Sequence, residues 1–132
     1  MFAFALWDGR SRSLLLARDA FGIKPLYLAD DGRTLRLASQ VKALLAGGGI
    51  DTAPEPAGHA GFFLWGSVPE PYTLYRGIRS LPAGHSQVVD ARGPQPPEAF
   101  GGRIEERLAA AAAQPARGSR AAAALPEVHF SD

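Results

Sequence analysis

At 132 residues and 46% hydrophobic content, the chain has material for one modest core and too little for a two-site enzyme. Fourteen basic and thirteen acidic side chains leave a formal charge of +1 with no run of either sign, so a nucleic-acid or anionic-membrane partner is not expected. The absence of cysteine excludes disulfides, thiolate nucleophiles and zinc–thiolate sites, and suits a reducing cytoplasm.

The first seven residues, Met1 to Trp7, are unbroken apolar sequence. They are too short to span a bilayer and lack the basic start of a signal sequence, so they read as a strand buried on both faces. Asp8-Gly9 supplies a turn, and Ser13 to Ala17 is a second strand that completes an antiparallel hairpin. Pro25 to Ala29 and Thr34 to Ala38 flank Asp30-Asp31-Gly32, which predicts another hairpin turning at Gly32. Ser39 is the expected N-cap of a helix through Ala46, with Val41, Leu44 and Leu45 as its buried stripe and Gly47-Gly48-Gly49 as its end.

A second helix is expected from Ala57 to Trp65, although Gly58 and Gly61 each weigh about 1 kcal/mol against it. Pro69, Pro71 and Pro82 make Ser67 to Pro82 an ordered loop, and Gly84 to Asp90 reads as the final strand. Beyond Pro94 the composition turns to alanine, arginine, glycine and proline. One helical window, Arg103 to Ala113, puts Ile104 and Leu108 on one face, and weak order is expected after Gln114. The domain division is therefore 1–92 followed by a linker-like 93–132.

Between the second and third strands, Arg18, Asp19, Gly22, Lys24, Pro25 and Tyr27 place charge, a glycine and a proline in one bend. Such a corner could hold a ligand carboxylate, but the commoner arrangement is a self-braced turn with Arg18 and Asp19 paired and Lys24 in solvent. His85, beside Gly84, is the most tempting general base, yet a single histidine at the start of a strand is more often a hydrogen-bonded structural residue. His59 and His129 have no motif around them. No histidine pair has metal-ligand spacing, so no metal site is expected.

Two ordered blocks carry a family resemblance. MFAFALWD, LLLARDAFGIKPLYL and LRLASQVKALL, followed by SVPEPYTLYRGIRSLPAGH, resemble the later part of the glutaminase domain of glutamine-dependent asparagine synthetases. The first block alone is shared with other amidotransferases; the second narrows the match. The resemblance covers about Met1 to Asp90 and makes Arg18, Asp19, Gly22, Lys24, Pro25, Tyr27, Ser39, Lys42, Gly77, Pro82, Gly84 and His85 candidates for family-motif structural roles. Gln40 stands where the family usually has an acidic residue.

The resemblance implies an α+β fold, a partial N-terminal-nucleophile-type αββα sandwich with mainly antiparallel strands. Its parent enzyme would use glutamine, aspartate and ATP with Mg to make asparagine. Family chemistry needs an N-terminal cysteine and a serine–glycine-rich pyrophosphate loop, and this sequence contains neither. The expectation is therefore a fragment without catalytic residues or cofactors of its own. The Val128-His129-Phe130-Ser131-Asp132 ending resembles the strand before that loop only weakly. Two other readings stay open: a docking or regulatory module that forms a homo-oligomer or pairs with an intact amidotransferase, and a relative that amidates or cyclises another carboxylate. With only some of the strands present, unpaired edges and an exposed apolar face are expected.

Overall fold

The computed structural model describes residues 1–100. The predicted helix at 103–113, the weak order expected after residue 114 and the terminal strand-like segment lie outside them.

The first hairpin joins β1 (Ala3–Asp8) to β2 (Ser13–Arg18), with Ala3 opposite Arg18 and Asp8 opposite Ser13. Asp8 organises the turn by accepting from the Arg10 amide and the Ser11 hydroxyl. The second hairpin joins β3 (Tyr27–Asp30) to β4 (Leu35–Ala38), and Gly32 takes φ of 81° in its turn. Asp31 closes that turn from the Arg33 and Thr34 amides and pairs with Arg36 at 2.7 Å.

Helix α1 (Val41–Gly47) follows, then α2 (Pro56–Trp65) and the two-residue β5 (Arg79–Ser80). Strand β6 (His85–Asp90) is not the last: β7 (Gly93–Pro94) and β8 (Glu98–Ala99) both pair with it. The Ala-Arg-Gly-Pro composition hid these two short strands, since neither shows periodicity.

Two antiparallel sheets result. The larger runs β1-β2-β6-β7 with β8 also on β6, and the smaller runs β4-β3-β5. Between them lies one cluster of Leu16, Leu26 and Leu81, against which Leu14 and Val89 of one sheet meet Leu28, Leu35 and Leu37 of the other. Each such leucine contributes about 1.5–3 kcal/mol when fully buried. A second cluster, Ala29, Leu44 and Ile78 with Val41 and Leu45, fastens α1 to the smaller sheet. The architecture is α+β with mainly antiparallel strands. No described helix is long and apolar enough to cross a membrane.

Three sequence expectations change. The run at β1 is not buried on both faces: β1 is a sheet edge whose residues from Phe4 to Asp8 are all exposed. An unbroken apolar run carries no mark of which face, if either, is covered. The N-cap of α1 is Gln40, in an extended conformation and without a side-chain cap bond, so Ser39 lies one position too early and is exposed. The glycines of α2 are a close-packing device: a Cβ on Gly58 would overlap the Thr73 carbonyl oxygen, and one on Gly61 would overlap Pro69 Cδ. Glu55 caps this helix by accepting from the Ala57 amide.

Candidate functional site

The end of β2 delivers two charged side chains into the interior, Arg18 at 6% and Asp19 at 3% exposure. They do not pair with each other as the self-braced-turn reading had it. Arg18 ends the strand, Asp19 stands one residue beyond it, and each finds its own set of partners.

The Arg18 guanidinium makes four hydrogen bonds. Its Nε donates to the Lys24 carbonyl at 2.9 Å, one terminal nitrogen donates to the Leu81 carbonyl and to Glu70 Oε1 at 2.6 Å each, and the other donates to the Gly22 carbonyl at 2.8 Å. Lys24 precedes β3 and Leu81 follows β5, so one planar fork from the larger sheet grips both approaches to the smaller one. Glu70 Oε2 accepts from the Ala83 amide at 3.2 Å, which extends the grip.

Asp19 acts as an anion inside a ring of amides. Its carboxylate accepts from Phe2, Phe21, Ile23 and Lys24 at 3.1 to 3.3 Å. Desolvation pushes its pKa up, but the backbone donors from Lys24, Ile23, Phe2 and Phe21 outweigh it and the net direction is down. Its own carbonyl accepts from Gly22 and Gly84, which ties the corner to the start of β6.

The remaining candidates follow from this corner. Gly22 takes φ of 62°, and a Cβ there would come within 2.9 Å of the Arg18 guanidinium. Lys24 is exposed, as expected, and Pro25 leads into Leu26, whose carbonyl accepts from Leu81. Tyr27 pairs with Ser80 and Ala38 across the smaller sheet. Gly84 adopts φ of 68° and its carbonyl accepts from Phe100. Pro82 lies between Leu81 and Ala83 at the same junction. Gly77 belongs elsewhere: its amide donates to the Asp51 carbonyl, and a Cβ would meet that oxygen at 2.6 Å. Ser39 and Lys42 are exposed at the start of α1, away from these bonds.

His85 Nδ1 lies 2.7 Å from the Ala83 carbonyl oxygen. Since a carbonyl only accepts, that nitrogen carries the proton and the ring braces the turn into β6. Sequence reasoning missed Glu70, Thr73 and Ser80. Glu70 stands inside the second family block, but its partner is 52 residues away. Thr73 is buried with its hydroxyl donating to the Ile78 carbonyl. Ser80 is buried and its hydroxyl has no partner among the described residues.

A cavity of about 360 Å³ opens between the sheets, with Ser80, Leu28, Leu35 and Gln87 on its walls. Among the described residues lining it there is no histidine or cysteine, and its carboxylate, Asp30, already accepts from the Gly32 amide. A hydroxyl without a base is not an activated nucleophile. No three described His, Cys, Asp or Glu residues are grouped to hold a metal. The corner therefore supplies position: its buried charges bond to the chain's own backbone and to Glu70.

The glutamine amidotransferase domain model matches residues 1–99, from the first strand through β8. This chain belongs to the glutamine amidotransferase domain family. It is 45% identical over 87 residues to a Mycobacterium bovis protein that carries the name glutamine-hydrolysing asparagine synthetase. That match covers 64% of the chain and 13% of the relative. Against glutamine-hydrolysing asparagine synthetase 3 of Bacillus subtilis it is 32% identical over 87 residues, 65% of the chain and 14% of the relative. A shorter stretch of 47 residues is 45% identical to amidase chry2 of Gibberella zeae, 36% of the chain and 7% of that protein. The amidotransferase-family chain thus spans a small part of the curated relatives that it matches.

Proposed function

We propose that this chain is the scaffold portion of the glutaminase domain of a glutamine-hydrolysing asparagine synthetase, built as part of an N-terminal-nucleophile-type αββα sandwich. The parent reaction would be ATP-dependent amidation of aspartate with ammonia released from glutamine. On this reading the 132-residue chain is a fragment that performs neither half-reaction alone. The observation that carries it is the composition of the site: no cysteine exists in the sequence, and Arg18 and Asp19, its buried charges, are spent on the chain's own backbone and on Glu70.

ATP and Mg are assigned to the parent enzyme in this reading. The glycine-rich turn Gly47-Gly48-Gly49 follows the C-terminus of α1, where carbonyl oxygens face out and repel phosphate. The family's phosphate-binding loops need the opposite polarity.

Incubating the purified chain with glutamine, and separately with ATP and aspartate, tests the reading. No ammonia above a buffer control and no AMP are expected. Turnover that follows the protein through successive purification steps would refute it.

The outer side of β1, which no other described strand pairs, favours a second reading, a non-catalytic module that pairs with another polypeptide. Co-purification from the native host separates the two, since a module requires a soluble complex and a non-functional fragment does not.

A further inference from the structure

A close-packed interior leaves few voids larger than a water molecule, whereas ligand sites begin at about 300 Å³. The inter-sheet cavity of about 360 Å³ falls in the second range. Its walls are Leu28 of β3, Leu35 of β4 and Arg79 of β5 on the smaller sheet, facing Gln87 of β6 and Pro94 of β7 on the larger. None of its lining residues belongs to β1 or β2. Register explains how a charged side chain comes to line it. Arg79 pairs with Leu28, so both stand on one face of the smaller sheet, and Leu28 packs into the cluster between the sheets. Because β5 is the edge of that sheet, Arg79 lines the cavity while remaining exposed.

We infer that this cavity binds a small organic carboxylate with an apolar body. Arg76, on the loop before β5, lines it together with Arg79, and neither side chain has an ion pair or hydrogen bond among the described residues. Asp30, the carboxylate among the lining residues, accepts from the Gly32 amide at 2.9 Å and makes no ion pair with either arginine. Two guanidinium groups against one carboxylate leave the mouth net positive, and their planar forks match an incoming carboxylate better than any other side chain does.

The rest of the wall selects the body. Leu28, Leu35 and Leu81 offer no polar side-chain atom, and the Gln87 side-chain nitrogen already donates to the Gln95 carbonyl at 2.7 Å. A bare inorganic anion would leave this apolar surface in water, and an uncharged apolar molecule would gain nothing from the two arginines. Only a ligand with both parts uses the whole site. The inference does not rest on the proposed reaction, and glutamine, with its polar side chain, is not what these walls select.

Titrating the complete chain with phenylacetate at low ionic strength, followed by NMR, should move the methyl signals of Leu28, Leu35 and Leu81. Phenethyl alcohol should bind about tenfold more weakly, the scale of one charge-assisted hydrogen bond in a partly open site. Inorganic phosphate and glutamine should leave the leucine signals in place. Arg79→Gln should weaken phenylacetate about five- to tenfold and leave phenethyl alcohol unchanged. Arg10→Gln, at an exposed position on the first hairpin, should change neither. Circular dichroism confirms that each variant is folded; if Arg79→Gln is not, Arg76→Gln decides. Equal affinity for the acid and the alcohol overturns the inference, as does an equal loss in Arg10→Gln, displacement of phenylacetate by glutamine, or shifts confined to residues outside the cavity. No binding up to about 50 mM also overturns it, since a site of this size and charge should hold its ligand in the millimolar range or tighter.

Discussion

Arg18 reaches four acceptors, three of them backbone carbonyls on segments that enter or leave the smaller sheet. Only a planar fork can satisfy Lys24, Gly22 and Leu81 together. Arg18→Ala therefore leaves buried carbonyls unpaired and should cost about 3 kcal/mol, the scale for removing one member of a buried charged cluster. Glu70, whose side chain is 42% exposed, keeps access to water, so Glu70→Gln should cost about 1 kcal/mol or less. Urea unfolding of both variants checks the ranking, and equal losses would show that the ion pair, not the carbonyl grip, carries the corner. Legibility at this scale divides by distance along the chain. The motif showed that Arg18, Asp19 and Gly22 share one corner, whereas Glu70 and Leu81 enter only when the chain returns after more than fifty residues.

The two hairpins were legible because their signals are local: apolar runs separated by Asp-Gly or Asp-Asp-Gly need no distant partner to specify a turn. The faces were not. Whether β1 is covered depends on which elements lie beside it, and no residue within it records that. Helix α2 inverts the usual glycine argument. In an open helix interior, glycine to alanine gains about 1 kcal/mol. Here a Cβ at Gly58 would run into the Thr73 carbonyl oxygen, and backbone cannot rotate aside. Gly58→Ala should instead lower stability by about 2–3 kcal/mol, since α2 must lift from the Thr73 loop. Gly47, the last residue of α1, has open space where a Cβ would go, so it is the control, and Gly47→Ala should be neutral or mildly stabilising. Melting curves of the pair test this, and a stabilised Gly58→Ala would mean that α2 is not held at that contact.

Acid reaches the whole molecule through its aspartates. Asp8, Asp19, Asp31 and Asp90 all have lowered pKa values, Asp31 to about 2, where the Arg36 side chain is the largest cause. A carboxyl whose folded pKa is depressed stabilises the fold above its unfolded value of 3.8, and that contribution disappears as pH falls through the folded pKa. The four are not equivalent. Asp8, Asp31 and Asp90 close turns at the tips of hairpins, where local loss and water can compensate. Asp19 collects amides from Phe2 ahead of β1 and from the corner before β3, while its carbonyl holds Gly84 ahead of β6. Protonating it removes charge from a ring of four amide donors. The melting temperature should therefore be flat from pH 7 to about 5 and fall below about 4. In Asp19→Asn it should start lower at pH 7, because an amide group would turn a donor toward donors, and should fall less steeply below about pH 4. Asp31→Asn should keep the wild-type acid slope nearly intact. If Asp31→Asn flattens the curve and Asp19→Asn does not, acid sensitivity lies in the hairpin tips, and the corner is not what joins β1 and β6 to the rest of the fold.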